Sequence, residues 1–142
     1  MRNTALGYLM ARLPISASMV GHAVVRLPKL EAFSQSMAAN FKDTWLPTIL
    51  VEPFAYFLPY LELNIGLLLL FGLFTRVATL AGVLLMVVLI FGSSLLENWN
   101  GVAIQTFYGG YFALLLTFEH KYNRYSIDNG IRGRRSRKNK AA

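Results

Sequence analysis

The sequence contains no cysteine among its 142 residues. This absence excludes disulfide bonds, thiol redox chemistry, cysteine-ligated zinc and iron–sulfur clusters in this chain. The chain has only two histidines, His22 and His120, and they belong to different predicted segments. A haem with two histidine ligands would need both, and their positions near opposite ends of the predicted helices argue against it. We therefore expect no metal site and no redox centre held by this chain alone.

Charged residues are also scarce, at 15% of the chain, whereas hydrophobic residues make up 55%. A soluble domain usually carries about 25% charged residues, and the mean hydropathy of this chain is +0.44. The charges are unevenly spread, because eight of the 14 Lys and Arg residues follow residue 120 and residues 77–96 carry none. This distribution predicts a membrane-embedded body with a basic tail, of a length that suits one domain.

Four stretches are long and apolar enough to cross a membrane, which takes roughly 20 residues in an α-helix. They lie at about residues 5–26, 50–72, 77–96 and 102–118. The first could be a cleaved signal peptide, but Arg12 and Pro14 interrupt the apolar region that a signal needs. A soluble four-helix bundle would need a polar stripe, and the third helix has none. We predict an all-α integral membrane four-helix bundle in residues 1–120 and a basic cytoplasmic tail in 121–142.

Lys and Arg in short connections predict the orientation of membrane helices. Most of them lie near the N-terminus, in the turn around 72–76 and in the tail. Both termini are therefore expected in the cytoplasm, with the 27–49 connection on the outer side of a bacterial inner membrane. The tail could be read as a nucleic-acid-binding arm. Its place directly after the last helix favours contact with anionic lipid headgroups, so we expect no nucleic-acid partner.

Ionisable residues inside a membrane are costly and are usually paired or functional. Counting about 1.5 Å per residue along each helix, Arg12 and Glu62 reach comparable depths, so we expect them to form a pair. The pair is either a structural ion pair that fixes the helix register or a contact for a bound ligand.

A second group of polar residues is expected near the outer face. His22, Glu52 and Gln105 reach similar depths on three helices, with Tyr56 and Tyr108 one turn further in. His22 and Glu52 either reach headgroups and water by snorkelling or exchange protons with a quinone-like head group. Gln105 is most simply an interhelical hydrogen bond. The candidate ligand-binding residues are Arg12, His22, Glu52, Glu62, Gln105 and Tyr108, and no catalytic residue can be assigned.

Several short motifs occur in a characteristic order along the chain. They are Arg12-Leu13, Gly21-His22, Lys29-Leu30, Glu62 with Gly66 and the apolar run after it, Gly72-Leu73-Phe74-Thr75-Arg76, Met86 and Arg124-Tyr125-Ser126-Ile127-Asp128. In this order they resemble the DoxX family of small four-helix membrane proteins, over about residues 8–130. One departure is Asn123, which stands where the family commonly has Gly before Arg-Tyr-Ser.

The resemblance implies a fold and a loose connection to quinone chemistry. DoxX proteins are similar to the DoxD subunit of thiosulfate:quinone oxidoreductase, and some are linked to redox complexes. Structural or topological roles are expected for Arg76, Arg124, Tyr125 and Asp128. The 124–128 segment could pack back under the bundle, with Asp128 near Arg76 or Arg12.

Three functions remain open at this point. The first is a redox-associated membrane subunit that binds quinone or a lipid-like molecule and works with a partner carrying the redox centre. The second is a non-catalytic subunit that anchors a larger membrane complex, with other membrane or periplasmic subunits or further copies of the chain as partners. The third is a small carrier, which is disfavoured because carriers usually have larger, repeated bodies with broken helices.

Overall fold

The computed structural model describes residues 2–131, and within that range it contains helices and no β-strand. The helices are α1 (Arg2–Arg26), α2 (Leu30–Asn40), α3 (Thr48–Phe71), α4 (Thr75–Leu95) and α5 (Trp99–Tyr122), with a 3-10 turn at Leu27–Lys29. The predicted all-α class is confirmed. Helix α5 continues to Tyr122, beyond the predicted end at 118. Residues 132–142 of the predicted basic tail lie outside the described part of the chain.

The four long helices run alternately up and down and form a bundle with two distinct ends. Helix α1 packs along α3 and α4 packs along α5, while the short α2 packs against α3. We call the end where α3 turns into α4 the turn end; it also holds the start of α1 and residues 123–131. The opposite end, which holds α2 and the 41–47 connection, is the loop end.

Three helical stretches are long and apolar enough to cross a membrane, judged over the described residues. They are α3, α4 and the stretch that begins with α5. The 25 residues of α1 span about 37 Å at 1.5 Å per residue, but their composition is less apolar because α1 buries polar groups such as Arg12 and Ser16 in the bundle. The protein is thus of membrane type, and a fourth crossing by α1 stays a prediction.

The turn between α3 and α4 depends on a glycine. Gly72 adopts the left-handed conformation, with φ at 65°, and the Leu73 amide donates to the Leu68 carbonyl to close the last turn of α3. A Cβ at position 72 would collide with the Arg12 guanidinium and with Ser126. Both the backbone conformation and the packing therefore require glycine here.

Two other glycines allow neighbouring helices to approach closely. A Cβ on Gly66 of α3 would lie 2.8 Å from the Val20 side chain of α1. A Cβ on Gly82 of α4 would lie 2.7 Å from the Phe112 ring of α5. Small residues commonly permit such contacts between membrane helices. These two contacts fix the register of α1 on α3 and of α4 on α5, which decides which polar residues meet.

Candidate functional site

The loop end contains a cavity of about 470 Å³ between α2, α3, α4 and α5, which we call the loop-end cavity. Its wall is mainly apolar and includes Phe33, Met37, Phe41, Leu50, Val51, Phe54, Val88, Leu89 and Phe91. Only a few polar side chains join it, among them Asn40, Asn98 and Gln105. An apolar wall with a small number of polar groups is typical of sites that bind small molecules.

Gln105 of α5 lines this cavity and carries a buried polar atom without a partner. Its amide oxygen Oε1 is buried and has no hydrogen-bond partner within residues 2–131. The predicted interhelical hydrogen bond of Gln105 is therefore wrong for this oxygen. Leaving a buried acceptor unpaired costs about 1–3 kcal/mol. A side-chain amide can accept and donate hydrogen bonds, so Gln105 suits a ligand with a carbonyl or hydroxyl group.

Glu62 forms a buried ion pair close to the cavity. The residue is 2% exposed, and Arg26 Nη1 donates to both carboxylate oxygens at 2.7 and 2.6 Å. His22 Nδ1 lies 3.9 Å from Glu62 Oε1. The Arg26 guanidinium also lies 4.9 Å above the centre of the Phe33 ring. Because Phe33 also lines the loop-end cavity, Arg26 contacts a residue of the cavity wall.

The predicted pairing of Arg12 with Glu62 is wrong. Gly66 of α3 lies against Met19 and Val20 of α1. Since the two helices are antiparallel, Glu62, one turn before Gly66, comes level with the end of α1 instead of its first half. The depth estimate failed because residue counts within each helix do not fix the offset between neighbouring helices, whereas the Gly66 contact does.

The other predicted outer polar residues have different surroundings. His22 stacks on Tyr108, with ring centroids 6.3 Å apart, and the Tyr108 hydroxyl lies 2.7 Å from Ser18 Oγ. Glu52 is exposed and lines a separate groove between α2 and α3, together with Glu31 and Tyr56. A single outer cluster of His22, Glu52 and Gln105 is thus not formed. The ligand-binding roles predicted for these residues stay predictions.

Arg12 belongs to a hydrogen-bond network at the turn end. The residue is 1% exposed. Its Nη1 donates to Asn123 Oδ1 at 2.8 Å and its Nη2 to the Tyr125 carbonyl at 3.1 Å. Asn123 Nδ2 in turn donates to Thr75 Oγ1 at 2.9 Å. Arg12 therefore ties α1 to the segment after α5 and, through Asn123, to the start of α4.

The 124–128 segment packs back under the bundle, which is the arrangement that the sequence left open. The Asp128 carboxylate accepts hydrogen bonds from the Phe74 and Thr75 amides, each at 2.8 Å. Its own amide donates to the Gly72 carbonyl at 3.1 Å. A carboxylate at a helix N-terminus satisfies free amides and the helix dipole. Asp128 thus caps α4 through the backbone, while the neighbouring Arg76 is exposed and suits an anchor at the membrane interface.

Two important residues escaped the sequence analysis. Arg26 was given no role, although its position four residues after His22 places both on one face of α1. Asn123 was noted only as a departure from a family pattern. The spacing of His22 and Arg26 shows that the two share a face of α1 but does not show that this face meets Glu62, and no signal pointed to Asn123.

A comparison with known protein families supports the resemblance that the order of the motifs indicated. The family model of DoxX matches residues 7–94, which is more than half of the chain. The chain belongs to the DoxX family. The matched region of this DoxX protein contains Arg12, Glu62 and the Gly72 turn, whereas Gln105 and Asp128 lie after it. Searches of curated proteins and of solved structures found no match.

Proposed function

We propose that this DoxX protein is a membrane subunit that binds a quinone-class amphipathic molecule in the loop-end cavity. The observation that carries the proposal is Gln105, which lines a mainly apolar cavity wall and whose Oε1 has no hydrogen-bond partner within residues 2–131. The unpaired Gln105 Oε1 accepts from a quinol hydroxyl, and the NH2 group of the same amide donates to a quinone carbonyl, while the aromatic wall packs against the ring. An apolar tail leaves between the helices into the membrane.

The proposal assigns proton exchange to His22 and Glu62. Interconversion of a quinone and its quinol moves protons as well as electrons, and His and carboxylate side chains are the usual proton carriers. Glu62 is buried and accepts from Arg26, whose guanidinium also lies over the Phe33 ring, while the His22 side chain is 44% exposed and lies 3.9 Å from Glu62. Electrons come from a partner subunit, since this chain has no cysteine to hold an iron–sulfur cluster.

Binding of a quinone analogue to the purified protein tests this proposal. Gln105→Leu removes the polar contact and should weaken binding about tenfold, as expected for the loss of one hydrogen bond. Val88→Phe should also weaken binding, because Val88 lines the cavity. Val87→Phe is the matched control, since Val87 is similarly exposed on α4 and does not line the cavity. Equal affinities in all four proteins would contradict the proposal.

A scaffold function is the second candidate. Only 11% of the apolar stretch that begins with α5 is buried, compared with 39% for α3 and 33% for α4. This leaves a large face of α5 for contact with a partner subunit. A photo-crosslinking residue at Phe107 should then form a protein adduct in native membranes. The same residue at Leu84, which is equally exposed on α4, should form none; failure of both to crosslink would reject the scaffold.

A further inference from the structure

An apolar groove lies between α1 and α5 at the turn end, and we call it the α1/α5 groove. Its volume is about 400 Å³, and its walls include Gly7 and Tyr8 of α1 and Tyr111, Phe118 and Tyr122 of α5. It shares no residue with the loop-end cavity. The proposed function therefore makes no use of it.

The polar groups of this groove are already engaged. The Tyr8 hydroxyl donates to the Leu115 carbonyl at 3.0 Å, and the Tyr111 hydroxyl donates to the Ala11 carbonyl at 2.6 Å. Both tyrosines thus tie α1 to α5 and present their rings to the groove. The floor at Gly7 is open, because an added Cβ would have no neighbour within 4 Å. This shape and polarity complement a flexible apolar chain.

A positive charge lies beside Tyr122, one of the wall residues of the groove. Lys121 Nζ lies 5.4 Å from the centre of the Tyr122 ring, and Tyr122 lines the groove. Lys121 is exposed. The acidic residue two positions earlier, Glu119, is 4% exposed and does not line the groove. An apolar groove with an ammonium group beside its wall complements a molecule with an apolar chain and an anionic head.

We propose that the α1/α5 groove binds an anionic phospholipid of the surrounding membrane. One acyl chain lies along Gly7 and Phe118, and the phosphate group lies beside Lys121. The turn end also carries Arg76 and Arg124, both exposed, but neither lines the groove. Lys121 does not line the groove either, but its ammonium group lies over the ring of Tyr122, which does. We therefore assign the preference for an anionic head group to Lys121 and the binding of the chain to the groove.

Native mass spectrometry of the full-length protein in detergent tests the head-group preference. Phosphatidylglycerol and phosphatidylcholine with identical acyl chains are the probes. The unaltered protein should retain phosphatidylglycerol about fivefold better, as expected for one lysine near a headgroup. Lys121→Gln should remove this preference and keep binding of both lipids. Arg76→Gln, which removes the same charge at the same end, should leave the preference unchanged.

A substitution on the floor of the groove tests the acyl-chain position. Gly7→Leu should lower retention of both lipids severalfold, because its side chain fills the groove. Gly21→Leu is the matched control, since Gly21 lies on the same helix and also has free space around it. If Gly7→Leu fails to fold, Leu114→Trp fills the groove from α5, with Ile104→Trp as its control.

Several outcomes would overturn the proposal. Equal retention of the two lipids by the unaltered protein would contradict the proposed preference for an anionic head group. Unchanged retention in Gly7→Leu and Leu114→Trp would place the lipid elsewhere. Dimers that disappear in Gly7→Leu would show that a second copy of the chain occupies the groove.

Discussion

At the scale of single residues, the Glu62–Arg26 pair carries a clear expectation for stability. Glu62→Gln leaves the Arg26 guanidinium in the bundle without its carboxylate, and loss of one partner of a buried pair costs about 3–5 kcal/mol. The Arg26 side chain is 28% exposed, so partial solvation should hold the loss near the lower value. We expect a lower thermal unfolding midpoint for the purified variant, partly restored by a second substitution, Arg26→Met.

Arg12 provides the control for this pair. Because Arg12 bonds to Asn123 and Tyr125, the effects of Arg12→Met and Glu62→Gln should add in the double variant. A coupling energy between positions 12 and 62 similar to that between 26 and 62 would contradict the observed register of α1 on α3.

Asn123 should contribute more to the stability of the bundle than its place in a connecting segment indicates. Its amide joins Arg12 to Thr75. Asn123→Ala removes both hydrogen bonds and leaves the buried Arg12 with fewer partners, which should cost about 1–3 kcal/mol of stability. Asn64→Ala is the control, because Asn64 is exposed and bonds only to the carbonyl of Tyr60 in its own helix. Equal unfolding midpoints for the two variants would show that the Asn123 network contributes nothing.

The sequence predicts which ionisable residues are unusual but not which residues they contact. Arg12 and Glu62 stand within apolar stretches, so their burial follows from helix length and hydropathy alone. Their partners depend on the offset between helices, which close contacts such as Gly66 against Val20 determine. Such contacts are properties of the packed bundle, and no spacing within a single helix predicts them.

At the scale of helices, α4 is capped by a residue that follows α5. Asp128 satisfies the amides of Phe74 and Thr75, and loss of a capping side chain costs about 0.5–2 kcal/mol. Asp128→Ala should therefore release the segment after α5 and speed tryptic cleavage after Arg124 in the purified protein. Asp43→Ala, at an exposed site in the other connection, should leave the cleavage rate unchanged. Equal rates in the two variants would contradict the capping role.

Helix α2 shows a further limit of the sequence analysis. The sequence predicts the 27–49 region only as a connection on the outer side, whereas the structure contains an 11-residue helix there. The signal was present, since Phe33, Met37 and Phe41 recur at helical spacing. All three line the loop-end cavity. The cavity itself could not be predicted, because it forms only where α2 and its following turn fold over α3 and α4.

At the scale of the whole molecule, the bundle combines three apolar helices with the less apolar α1, which buries Arg12 and Ser16. Hydropathy along a sequence averages over all faces of a helix, so it ranks α1 below the others. The buried side chains of Arg12 and Ser16 explain this ranking without removing α1 from the bundle. The number of membrane crossings therefore depends on α1, and so does the side on which each end lies.

The predicted orientation can be tested with single cysteines, because the chain has none of its own. The turn end is expected in the cytoplasm and the loop end outside, from the distribution of Lys and Arg. Asp43→Cys, at an exposed loop-end site, should react with a membrane-impermeant maleimide in intact cells. Gly130→Cys, an exposed turn-end site with free space around it, should react only after lysis. Labelling of Gly130→Cys but not of Asp43→Cys in intact cells would show that the orientation is the reverse of the predicted one. Labelling of both variants in intact cells would show that the two ends lie on the same side, so that the helices do not cross the membrane as predicted.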